Sequence, residues 1–107
     1  MSHAPIACTL TADELACGAT GLLPGLALRA ASVQPVPDGV RLEFVAEAGV
    51  VSRLAAVIER ERQCCQFLRF RLDVAPARGP IMLQIDGPPG TREFLAGLHP
   101  TFAPPAA

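Results

Sequence analysis

The chain has 107 residues, 50% of them hydrophobic and 18% charged, with a formal net charge of −1. That balance fits one globular domain with a modest core and excludes a disordered chain. No basic stripe supports a nucleic-acid partner, no apolar run approaches the roughly 20 residues of a membrane span, and no basic-then-apolar leader follows Met1, so the expected setting is cytoplasmic and membrane-independent.

Residues 1–10 read as an N-terminal arm carrying His3 and Cys8. Thr11-Ala12-Asp13-Glu14 has capping-box spacing: the Thr11 hydroxyl can accept from the Glu14 amide while Glu14 reaches back. The helix it opens carries Cys17, weakens at Gly18 and Gly21, and is expected to stop at Pro24-Gly25. Leu26 to Val33 then reads as a strand. Val40, Leu42 and Phe44 alternate with Arg41 and Glu43 in a second strand. Pro35, Pro37, Asp38 and Gly39 supply turn chemistry between them, so the two strands form a hairpin.

From about Ala48 to Cys65 the hydrophobic period becomes helical. Val50, Val51, Leu54, Val57, Ile58, Glu61 and Cys65 cluster on one side of the helix at about 100° per residue, and Arg53, Glu59, Arg60 and Gln63 lie away from them. The apolar stripe therefore ends in a carboxylate and a thiol. No Gly or Pro separates this helix from a third strand, where Leu68, Phe70, Leu72 and Val74 alternate with Arg69, Arg71 and Asp73. Pro76 to Pro80 is a turn, and Ile81, Leu83 and Ile85 form the apolar face of a fourth strand. The Asp86-to-Gly90 segment breaks that strand, Thr91 to Leu98 makes a short final helix, and residues 100–107 are expected to be a disordered tail.

The resulting pattern is a single domain over residues 11–99. Its fold class is α+β: a two-layer sandwich whose mainly antiparallel four-stranded sheet comes from two ββα units, ferredoxin-like or related, with an extra N-terminal helix. One sheet face takes the helices. The other carries Arg41, Glu43, Arg69, Arg71 and Gln84; its polar composition reads as solvated, with a homodimer surface as the alternative.

Candidate chemistry concentrates at Glu61, Cys64 and Cys65. Four cysteines in a chain without a leader read as reduced thiols, ligands or core residues rather than a disulfide framework. Adjacent Cα atoms lie about 3.8 Å apart, short of the roughly 4.4–6.8 Å of ordinary disulfides, so a Cys64–Cys65 bond would be strained. Two such thiols can still share a soft ion: zinc, copper(I) or mercury(II). A helix C-terminus is the negative end of the helix dipole and disfavours the thiolate, which argues against an activated nucleophile. Cys17 is a candidate third sulfur, Cys8 a weaker one. His3 reads as arm and His99 as a helix-end residue. Glu61 has the alternative of pairing with Arg62 or Arg92.

The run Glu61-Arg62-x-Cys64-Cys65-x-Phe67-Leu68-x-Phe70, followed by a hairpin, Gly87-Pro88 and a Phe-Leu helix, resembles a family of small uncharacterised bacterial proteins. It is also similar to segments that follow some heavy-metal-responsive regulators. Those relatives often have Pro after the cysteine pair, where this chain has Gln66. The resemblance implies heavy-metal association at Cys64 and Cys65, with Glu61 as a second choice. The first expectation is thus a small domain that binds a soft metal through its vicinal cysteines, as an accessory to metal sensing or resistance. A non-catalytic interaction or dimerisation module with core cysteines is the alternative, and a thiol redox enzyme the second alternative.

Overall fold

The computed structural model describes residues 23–102. The arm, the capping-box helix up to residue 22, His3, Cys8 and Cys17 lie outside that range, as do residues 103–107. Within it, helix α1 (Leu23–Arg29) leads into strands β1 (Ser32–Val36) and β2 (Gly39–Phe44). Helix α2 (Val50–Cys64), strands β3 (Arg69–Val74) and β4 (Ile81–Asp86), helix α3 (Thr91–Leu98) and a 3₁₀ turn (Pro100–Phe102) follow.

The sheet has the order β1-β2-β4-β3, and every neighbouring pair is antiparallel. β2 and β3 therefore run parallel with β4 inserted between them, and α2 is the crossover that parallel strands require. Read from β2 and closed on β1, the string is βαββαβ, so in connectivity this is a permuted ferredoxin-like arrangement. The expected α+β sandwich with a four-stranded antiparallel sheet is the observed fold.

One expectation fails at the start. Leu26–Arg29 is helical, and the first strand begins at Ser32. Pro24 lies in the first turn of this helix, which tolerates it because a first-turn proline gives up an N–H that has no intrahelical acceptor. Leu23, Leu26 and Ala27 are the buried face, a helical spacing that short strand patterns mimic. Pro35 sits within β1, which is an edge strand and tolerates it. The hairpin turn is reduced to Pro37-Asp38, with Asp38 in the left-handed region at φ 56°.

The core is one continuous cluster. Val40, Leu42, Phe44, Ile81, Leu83 and Ile85 of the sheet meet Leu54 and Val57 of α2, Leu95 of α3 and Leu23 and Leu26 of α1. Each fully buried side chain of this kind is worth about 1.5–3 kcal/mol over exposure. Val51, expected in the α2 stripe, is exposed instead, one position off the buried Leu54–Val57–Glu61 line. The tail expectation also fails in part: Phe102 is completely buried, and its 3₁₀ turn packs against α3, α1 and β1. A single phenylalanine after a proline gave no periodicity to read. No helix among the described residues is long and apolar enough to cross a membrane.

Candidate functional site

The site is the corner where α2 ends. Glu61 is completely buried on the same helical line as Leu54 and Val57. Cys64 is the last helical residue and half-buried, while Cys65 caps the helix and is completely buried. The Cys65 amide donates to the Glu61 carbonyl at 2.6 Å, holding the cap onto the last turn. The Leu68 amide then donates to the Cys65 carbonyl at 3.1 Å. Gln66 and Phe67 are thus the central residues of a turn, where a helix running straight into a strand was expected.

That turn is clamped from outside. The Phe67 ring meets the Phe94 ring of α3 edge-on, with centroids 5.1 Å apart. At Gly87, just after β4, an added Cβ would lie 2.9 Å from the Phe67 carbonyl and 2.6 Å from Thr91 Oγ1. The completely buried Thr91 donates its hydroxyl to the Pro88 carbonyl at 2.7 Å. The Gly87-Pro88 segment therefore serves the cysteine corner by allowing two backbones to approach closely. Thr91 and Gly87 went unnoticed as site residues; the signal was a glycine directly after a strand and ahead of a helix start.

The two sulfurs differ in chemical state. Cys64 is disulfide-bonded, whereas Cys65 remains a thiol. The bond therefore bypasses the neighbouring cysteine, and the expectation of reduced thiols, ligands or core residues rather than disulfides fails at Cys64. Cys8 and Cys17, the other two cysteines of the sequence, lie outside the described residues. Glu61, Cys64 and Cys65 each make a further interaction. Arg92 donates to the Val36 carbonyl at 2.7 Å, and Arg62 is exposed. His99 is a helix-end residue as expected: its Nδ1 accepts from the Thr101 amide at 3.1 Å. Among the described residues no three His, Cys, Asp or Glu side chains form a metal-binding group.

At the same end of the sheet, on its open face, Arg69 Nε donates to Asp86 Oδ1 at 2.7 Å. Gln84 Nε2 donates to Asp86 Oδ2 at 2.7 Å, and Arg41 donates to Gln84 Oε1 at 2.8 Å. The Arg69 hydrogen bond holds the Asp86 carboxyl below its ordinary value against the opposing effect of burial, with Gln84 adding to the shift.

No protein-family model matches this chain, and no curated protein or solved structure does so either.

Proposed function

We propose that the α2 corner is a soft-metal thiolate site that opens when the Cys64 disulfide is reduced. One observation carries the reading: a bridged sulfur and a buried thiol occupy adjacent residues at a helix end. Two equivalents of a small-molecule thiol reduce the disulfide to two cysteine thiols and leave as one oxidised disulfide. Cys64 and Cys65 then each bind the ion as thiolates, and their protons are displaced to solvent or to Glu61. Mercury(II) and copper(I) accept two thiolates in linear coordination, while zinc needs further ligands beyond the pair. Glu61 orients the Cys65 thiol or takes up its proton. Binding releases protons, so affinity falls in acid. A reducing compartment such as the cytoplasm keeps the site open. The resemblance to segments near heavy-metal-responsive regulators supports an accessory role in metal sensing or resistance.

Complete burial of Cys65 favours a rival reading, an interaction module in which the thiol is core filler. Native mass spectrometry separates the two. Reduced protein, oxidised protein and the reduced Cys64→Ser/Cys65→Ser variant are offered mercury(II), copper(I) or zinc against excess small thiol. One ion retained only by the reduced wild type is expected. Equal retention by the variant, or none by any form, would sink the proposal.

A further inference from the structure

The open face of the sheet bears its charges in rows. The register places Arg41, Gln84 and Arg71 side by side across β2, β4 and β3. The next row on the same face is Glu43, Met82 and Asp73. A row with cations at both flanks thus lies one two-residue step, about 6.8 Å, from a row with anions at both flanks. The flanking charges of each row are separated by two strand spacings, about 10 Å.

Among the described residues none of these four charges is in an ion pair. Among the described residues the ion pair present is Arg69–Asp86, one row further along. Arg41, Arg71 and Asp73 are exposed and Glu43 is half-buried. The Arg41 hydrogen bond to Gln84 and that of Gln84 to Asp86 tie the face into a fixed array. The helices pack on the opposite face, so nothing else among the described elements covers this one.

We infer that this face binds a second copy of the chain face to face. Consider a two-fold axis lying between the sheets, running across the strands midway between the two rows. Rotation about it keeps each strand over its own copy and exchanges the rows. Arg41 then faces Glu43 of the second copy, and Arg71 faces its Asp73. Gln84 meets Met82 at the centre, and the symmetry repeats every pair. The surface is self-complementary under this operation, as an isologous interface must be. A translation that placed like rows together would oppose like charges. Four strands of five or six residues give a face of roughly 20 by 20 Å, about 800 Å² over both copies, in the range of weak, transient contacts below about 1,200 Å². The dimer is therefore reversible and salt-sensitive.

Sedimentation equilibrium with reductant present, which removes intermolecular disulfides, tests this. Wild type is expected to dimerise with concentration, at least tenfold more weakly in high salt. Arg41→Glu/Arg71→Glu carries an all-acidic face, and Glu43→Arg/Asp73→Arg an all-basic one; each alone is expected to stay monomeric. Mixed in equal amounts, they are expected to form a heterodimer, which also certifies that both fold. A wild type that remains monomeric throughout, a dimer that persists in either variant, or a mixture that does not associate would each overturn the inference.

Discussion

Replacing Gly87 by alanine tests whether the cysteine corner depends on close approach between the Phe67 turn and the start of α3. The backbone at Gly87 is outside the left-handed region, where Gly49 and Gly90 lie, so the cost is steric. The new methyl would sit 2.6 Å from Thr91 Oγ1 and 2.9 Å from the Phe67 carbonyl. Turning the Thr91 hydroxyl away would break its bond to Pro88 in a buried site, at about 1–3 kcal/mol. Shifting the Cys65–Leu68 turn instead is an overpacking event of about 1–3 kcal/mol. The stiffer unfolded chain returns about 0.4–1 kcal/mol. The net expectation is a loss of about 1–2 kcal/mol in equilibrium urea unfolding, together with faster alkylation of Cys65 in the native reduced protein. Gly97→Ala is the control: nothing lies within 4 Å of its added Cβ, and the helical substitution gains up to about 1 kcal/mol. A Gly87→Ala protein within about 0.5 kcal/mol of wild type would refute the clamp.

Removing the Cys65 sulfur should cost about 1–2 kcal/mol as Cys65→Ala, and more as Cys65→Ser, which buries a hydroxyl; paired urea curves decide the order. Gln66 occupies the second position of its turn, where proline is favoured, and among the described residues its amide donates to no backbone carbonyl of the turn. Gln66→Pro should therefore raise the thermal midpoint, by a stabilisation of about 0.4–1 kcal/mol, and a fall of the midpoint would count against the turn assignment. Ala77 and Arg78 are both left-handed, at φ 56° and 61°. Ala77→Asn/Arg78→Gly should stabilise by about 1–2 kcal/mol, read as an upward shift of the thermal midpoint. Asp86 has a depressed native pKa, so its contribution is present above the ordinary 3.8 and fades as pH falls through the lower native value. The stability gap between wild type and Asp86→Asn should accordingly narrow below about pH 4; a gap that widens in acid would reverse the sign.

The helix–sheet alternation was legible because periods of 3.6 and 2 are written directly in α2, β2, β3 and β4. Burial of Glu61 and Cys65 followed from the same arithmetic: they continue the Leu54–Val57 line. Pro24 misled because proline marks both the end of one helix and the first turn of another. Phe102 was missed because a lone aromatic among prolines has no period, yet it is a fully buried core residue. The disulfide at Cys64 was not legible either. Adjacent spacing disfavours a bond to Cys65, but nothing in the local sequence marks Cys64 as the bridged one. The charge rows on the open sheet face needed the register: Arg41 and Arg71 share a row only because each pairs with Gln84.

The electrostatics of the corner suit a ligand better than a nucleophile. The C-terminus of α2 carries about half a negative charge, which disfavours a bare thiolate at Cys65. A cation reverses that effect: it finds the dipole end attractive, and it neutralises the thiolates as they form. On the proposed reading, the reduced thiols would stay inert to alkylation and then release their protons to solvent as a soft ion binds. An alkylation rate low without metal, coupled to proton release on mercury(II) addition, is the joint signature of that arrangement. Rapid alkylation of metal-free Cys65 would indicate an activated thiol instead, and would shift the corner towards redox chemistry.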